Sequence, residues 1–540
     1  MAKDPKNPKE PVDDVGEEPS GTSAPDADKK EESGETKEVD EHAIVVEESY
    51  GTEATRGMLW TSISAILARG LGFVSTIFLT HLIDKEDYGR ANAAYSIAQT
   101  IDFFSRPGIN AELVRRKERF AEAASLVVTI CLGLFFLLGG TTFIFSQEIS
   151  NLFNAPGANQ YLRIALILPF LSCLFVVGDN KLIRDMRFGT QSLFEIGGSL
   201  SNVAVGLGLA ALGWGGLAVI IGQMFREAIV HGGATAVTGL GWLKRPRWDG
   251  PLLKDMFSFG IPAYTSGLME FAATTWDNLF VAKMFGPAKL GTYAVAYTIA
   301  YTPAHTIASR TANVVFATVA RFSDDKQRRH DAILRSLGAV MLIMSPVSII
   351  IMLSGPDLVQ LVFPDKWTGM VSALVSGLSL VGVGLPLLTL PDYYLCASDM
   401  PRGAVYIMGG KVISLAIALA VFGRSSVVAA AWSVSGSFIF VGICSCFLMS
   451  KMDKISPLLV FRQLIPSTVG ACLLGATIYG VKYQLQIDSL LVSLLLQLSL
   501  GGLAYVGYLF MFHRGRVMEI VGKLLGKTDD DDDDDDDDDE

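Results

Sequence analysis

The chain has 540 residues, half of them hydrophobic and only 18% charged, with 53 glycines, a balance that excludes an ordinary cytosolic enzyme. Its formal charge of -11 belongs to the ends: residues 1–56 hold seven Lys/Arg against seventeen Asp/Glu, residues 529–540 hold twelve acids, and the body between them is left at +11. An acidic pI therefore says nothing about nucleic acid or other charged partners, and the basic, very apolar body fits a polytopic membrane protein with no nucleic-acid partner.

In chain order, residues 1–56 are rich in Glu, Asp, Lys, Pro, Ser and Gly, lack an apolar period, and read as a disordered acidic cytoplasmic segment. They contain no signal peptide, so the first apolar segment is expected to direct insertion. A bilayer core of about 30 Å needs about 20 mostly apolar residues per helix. Fourteen segments meet that length: 58–83, 88–105, 123–145, 158–178, 192–212, 215–236, 257–283, 291–319, 336–354, 371–395, 403–423, 427–449, 463–481 and 489–512, of which the second is the least convincing. Loops on one side carry 24 basic residues and those on the other carry six, which places both termini in the cytoplasm and favours an even number of spans. The opposite loops are short, the longest being 147–160 and 355–369, so no external domain is expected. All six cysteines fall in or beside apolar segments without metal-ligand spacing and read as reduced packing residues; no metal or cofactor site is expected.

A shift of 202 residues aligns YGRANAAYSIA (88–98) with LGTYAVAYTIA (290–300), following spans one and seven. Six intervening helices leave the copies in the same orientation, as in transporters built from parallel repeats. The expected organisation is an N lobe over 57–240, a cytoplasmic linker over 241–256, a C lobe over 257–450, two further helices within 463–512, and a cytoplasmic tail over 513–540 that ends in the acidic run.

Several stretches taken together carry a family resemblance: LIDKEDYGRANAAYSIAQ after span one, LIRDMRFGTQSLFEIGGSLSN entering span five, GWGGLAVIIGQ entering span six, FSFGIPAYTSGL with WDNLFVAKMFGPAKLGTYAVAYTIA across spans seven and eight, and LVQLVFPDKW before span ten. Over about residues 57–450 the chain resembles the polysaccharide transporter family, the Wzx-like oligosaccharide flippases of the multidrug/oligosaccharidyl-lipid/polysaccharide superfamily. The resemblance implies an all-α, V-shaped transporter of two six-helix lobes, with helices one, two, seven and eight around a central cavity. It also implies a substrate, a polyprenyl-pyrophosphate-linked oligosaccharide moved across a bacterial inner membrane, alongside a polysaccharide polymerase or glycosyltransferases. The long acidic N-terminus and the eleven-Asp run depart from the family pattern.

Ionisable groups within a span cost roughly 2.5–3.5 kcal/mol at a helix centre, so they tend to face a cavity or a partner. Arg69, midway along span one, and Arg310, on the cytoplasmic side of span eight, suit a pyrophosphate, because a guanidinium stays charged and grips phosphate oxygens in pairs; the plainer reading is a buried Arg paired with an acid. Glu270 and Asp277, seven residues and about 10.5 Å apart on one face of span seven, suit coupling to H⁺ or Na⁺, unless Asp277 simply pairs with a basic residue and locks the lobe. Tyr293, Tyr297, Tyr301 and His305 form a stripe down span eight, and the last three are candidates for sugar contacts or plain helix packing; Pro303 is expected to kink this helix. Asp102 and Asp392 are placed near cytoplasmic helix ends, where snorkelling or interface pairing is expected, Arg226 and Glu227 are too far apart around span six to face one cavity, and Lys411 is unexplained. Two other functions compete: a multidrug exporter of the related branch, which would favour an acidic cavity, and a membrane glycosyltransferase using Asp84, Glu86 and Asp87 in the first outer loop. No phosphate-binding P-loop is present. The terminal Asp run is a solvated tail or docks on basic cytoplasmic loops.

Overall fold

The computed structural model describes residues 60–515 except 62, 110–112, 115, 117–118, 242–247, 323–324 and 486. The N-terminal acidic segment and the Asp run lie outside the described residues. The long helices are α1 (Ile63–Leu82), α2 (Lys85–Ser105), α3 (Phe120–Ile144), α4 (Ala158–Arg184), α5 (Phe188–Ala211) and α6 (216–238). They are followed by α7 (Gly250–Phe285), α8 (Pro287–Arg321), α9 (Lys326–Leu353), α10 (Asp365–Ala397), α11 (Pro401–Val421), α12 (Val427–Asp453), α13 (Pro457–Gln484) and α14 (Leu490–Phe512). Among the described residues ten helices are long and apolar enough to cross a membrane. The other four, α2, α6, α7 and α8, coincide with four of the segments expected to span. They are more polar or interrupted: α2 carries Lys85, Glu86, Asp87, Arg90 and Asp102, and α6 is broken by a π-helical turn over Ala228–Gly232.

Helix starts follow local chemistry. Asp249 caps α7 by accepting from the Leu252 N–H, with Pro251 in the first turn, so this helix begins well before the apolar run at 257. Asp325 does the same for α9 through the Arg328 N–H, 3.1 Å away. Gly286, at φ 79°, lets α8 start directly after α7. Pro303 lies inside α8, which remains one continuous helix from Pro287 to Arg321.

Helices α2 to α6 pack on one another and α7 to α12 on one another, while α13 and α14 lie outside them, α13 against α9. A buried polar clasp holds this last pair: Asp357, in the short helix Gly355–Val362, accepts from Lys482 of α13 at 2.8 Å and from Gln497 of α14 at 2.9 Å. The two groups meet along α2 and α8, and the meeting point is the sequence repeat itself. Gly89 and Gly291, equivalent under the 202-residue shift, approach so closely that a Cβ on Gly89 would fall on the Pro287 carbonyl and one on Gly291 on the Lys85 carbonyl. Lys366 bonds Asp84 at 2.9 Å beside this contact. At the opposite end of α2, Gly108, at φ 74°, packs on Gly260 of α7, and Arg116 and Arg119 pair with Asp255 and Asp249 at the start of α7.

Candidate functional site

Among the described residues, three cavities with charged and polar groups in their walls are built on these elements. In the α7–α12 group, a cavity of about 710 Å³ lies among α7, α8, α10 and α11. Glu270, Tyr301, His305, Ser309, Thr389, Asp392, Tyr393 and Lys411 give it polar walls. A second, of about 360 Å³, is lined by Thr61 and Ser64 before and within α1, by Asp179, Glu195, Arg226 and His231 of α4 to α6, and by Arg310 of α8. A third, of about 280 Å³, adds Tyr95, Gln99, Asp102 and Arg106 of α2 and shares Arg226 and His231 with the second. Thus α4 to α6, α10 and α11 line cavities as well as the four helices implied by the resemblance.

Arg310 faces the second cavity and donates to the Thr61 carbonyl at 3.2 Å, while Arg69 donates to the Thr306 hydroxyl of α8. Neither has an acidic partner in these bonds. Arg69 and Arg310 lie within electrostatic range of each other and of His305, whereas Lys411, also within range of His305, is answered by Glu270, Asp392 and Asp277. Lys411 is buried with its ammonium 4.8 Å from the Phe438 ring centroid, a cation–π contact, and it opens on the first cavity; this gives the mid-span lysine the role the sequence left blank.

The two α7 carboxylates separate. Glu270 is exposed to the first cavity, whereas Asp277 is buried, accepting from the Tyr293 hydroxyl at 2.7 Å and from the Asn278 N–H at 2.8 Å. Where the alternative reading of Asp277 has a basic residue in contact, the partner is a tyrosine. In the aromatic stripe the rings of Tyr297 and Tyr301 stack at 4.6 Å and those of Tyr301 and His305 at 5.3 Å. Tyr301 and His305 line the first cavity, and Tyr297 packs against the core.

Two expectations are corrected. Asp392 is not at a snorkelling helix end: it is buried in the wall of the first cavity, where Pro386 and Pro391 shape α10. Asp102, by contrast, does lie in the last turn of α2 and pairs there with Arg106, on the wall of the third cavity. Arg226 and Glu227 do face one cavity, the third, because the long guanidinium folds back to bond Glu227 at 2.8 Å. The acids proposed for glycosyl transfer all have packing roles: Asp84 with Lys366, Glu86 with Arg90 at 2.6 Å, and Asp87 with the Tyr161 hydroxyl and the Gly216 N–H.

Residues 78–372 match the family model described as polysaccharide biosynthesis protein. The chain is 23% identical over 319 residues to the succinoglycan biosynthesis transport protein ExoT of Rhizobium meliloti (strain 1021), covering 58% of this chain and 63% of that one. It is 24% identical over 328 residues to the lipopolysaccharide biosynthesis protein WzxC of Escherichia coli (strain K12), covering 59% and 65%. The matches thus span a little under two thirds of these relatives' length. A longer one, 21% identical over 457 residues, reaches 83% of this chain and 94% of the teichuronic acid biosynthesis protein TuaB of Bacillus subtilis (strain 168). Among solved structures, the lipid II flippase MurJ in its inward closed conformation superposes with a TM-score of 0.69 at 15% identity, over 85% of this chain and all of that one. An inward-facing multidrug resistance transporter of the MATE family reaches 0.58 at 15% identity, over 73% and 96%. The fold is that of these two transporters, and the chain belongs to the polysaccharide biosynthesis protein family.

Proposed function

We propose that the protein is a transporter, not an enzyme, that moves a polyprenyl-pyrophosphate-linked oligosaccharide across a bacterial inner membrane by alternating access, with both termini in the cytoplasm. The observation that carries this reading is the pair of arginines between α1 and α8, Arg69 and Arg310, which donate to neutral oxygens, the Thr306 hydroxyl and the Thr61 carbonyl, with Arg310 facing the second cavity. Guanidinium groups that donate to neutral oxygens can turn to a multiply charged head group, and their forks match phosphate oxygens. Family membership and the names of the relatives, a succinoglycan transport protein among them, support the same substrate class. Arg69 and Arg310 hold the pyrophosphate, and Tyr301 and His305, which open on the first cavity, offer faces on which sugar rings stack, with Tyr297 behind them as support. Of the α7 carboxylates, Glu270 can exchange H⁺ or Na⁺ with the cavity, whereas Asp277 holds the lobe through Tyr293. Glycosyltransferases would supply such a substrate and a polymerase would consume it.

The test is flipping of a polyprenyl-pyrophosphate oligosaccharide in proteoliposomes. Arg69→Ala with Arg310→Ala should reduce the rate by at least about tenfold, the loss of roughly 1.4 kcal/mol or more of charge-assisted binding. Unchanged flipping in the double variant would sink the head-group assignment.

A further inference from the structure

Apart from Arg310, the cluster between the second and third cavities takes no part in head-group binding. His231 sits in the π-helical turn of α6, with Nδ1 against Asp179 of α4 and Nε2 2.6 Å from Glu227 one turn back on α6. Arg226 forks onto Glu195 of α5 at 2.8 and 3.0 Å and also bonds Glu227 at 2.8 Å. From the other packed elements come Arg310 of α8, Asp102 of α2 with its partner Arg106, and Tyr95 of α2, while Lys181 of α4 bonds the Thr238 carbonyl at the end of α6.

An imidazole flanked by a carboxylate on each nitrogen must donate through both, because two ionised acids accept and cannot donate. The charge count agrees. Acids lining the two cavities are Asp102, Asp179, Glu195 and Glu227, and arginines are Arg106, Arg226 and Arg310, so the cluster is neutral only when His231 carries a proton. Helix packing makes that proton consequential. A Cβ at Gly178 would collide with Thr235, and one at Gly198 with Val230 and Arg226, so α6 is seated closely on α4 and α5 on either side of the π turn.

We propose that Asp179, His231 and Glu227 form a proton-binding site in the first helix group, whose occupancy clamps α6 to α4, and that the proton leaves through the adjoining 360 Å³ cavity when the clamp opens. The site stands apart from Glu270, and only the use of its proton for transport rests on the flippase reading. Loss of the proton leaves an uncompensated negative charge in a closely packed region, which drives the helices apart.

The experiment follows amide hydrogen exchange over residues 228–238 in the full chain in lipid nanodiscs, from about pH 5 to about pH 10, corrected for intrinsic exchange. The wild type should be protected at low pH and lose protection by about tenfold or more toward the alkaline end. His231→Arg, a fixed cation, should keep protection independent of pH, and His231→Gln should lack it throughout. Glu227→Gln, which retains the histidine but removes one carboxylate, should move the midpoint about one unit or more to lower pH. A His231→Gln profile matching the wild type, a His231→Arg profile that still follows pH, or an unmoved midpoint in Glu227→Gln would each overturn the proposal. These readouts need no substrate, so a protein that fails to flip lipid while showing them overturns the transport reading alone.

Discussion

At the scale of single residues, Asp277 shows how burial decides a role. Its carboxylate is about 1% exposed and depends on the Tyr293 hydroxyl and one backbone N–H, since α7 and α8 leave it no cation in contact. Removing the hydroxyl strands a buried acceptor, and hydrogen bonds to charged groups contribute about 1.5–3 kcal/mol. Tyr293→Phe should therefore lower thermal stability in detergent by that amount, and Asp277→Asn by less, because the amide no longer needs a donor for an ionised oxygen. Equal melting curves for wild type and Tyr293→Phe would show that the bond contributes nothing. Charged residues in apolar runs are legible from the chain alone, and Arg69, Arg310, Glu270 and Asp277 stand out for that reason. His231 did not, because its meaning depends on Asp179 and Glu195 arriving from α4 and α5, which no spacing within α6 reveals.

At the scale of elements, the repeat was legible but its consequence was not. Identities at a fixed shift marked 88–98 and 290–300 as equivalent, yet only the fold shows the two copies pressed together through Gly89 and Gly291. Neither glycine is required by its backbone angle; each is required by the carbonyl opposite. A side chain at Gly291 must push α8 away from α2, an overpacking cost of about 1–3 kcal/mol. Gly291→Val should therefore loosen the α2–α8 seam. Ala93, fully buried beside it, reports this: with Cys396, Cys444 and Cys472 changed to Ser, Ala93→Cys should label with an impermeant maleimide several-fold faster in the Gly291→Val background. The same labelling rate in both backgrounds would mean that the seam does not gate access. Helix ends were less legible than helix centres because caps such as Asp249 and Asp325 extend α7 and α9 into polar sequence that hydropathy discards.

At the scale of the molecule, the two helix groups are tied at both ends of α2, and the ties differ in kind. The end at Gly89 and Gly291 is closed by packing, with Lys366 and Asp84 beside it. The end at Gly108 and Gly260 adds two ion pairs, Arg116 with Asp255 and Arg119 with Asp249. Packing is insensitive to salt, whereas exposed ion pairs are screened within about 10 Å at 0.1 M salt. The Arg119 N–H groups hold the Asp249 carboxyl below the usual carboxylate range, helped by the Leu252 N–H, and Asp249 in turn raises Arg119. A carboxylate lowered on folding contributes above its unfolded value and loses that contribution as pH falls through the folded one. The second end should thus open with added salt or acid while the first stays shut, an asymmetry suited to alternating access from the side that carries most of the basic loops. Ser309, on the wall of the 710 Å³ cavity, is the reporter: Ser309→Cys, in the same Cys396, Cys444 and Cys472 to Ser background, should label faster at high salt, and faster at all salt concentrations once Arg116→Ala and Arg119→Ala are combined. Asp249→Asn should remove most of the acid sensitivity and leave the Ala93→Cys rate untouched. Acceleration of both reporters together would mean that the protein loosens as one body and that the two ends are not separate gates.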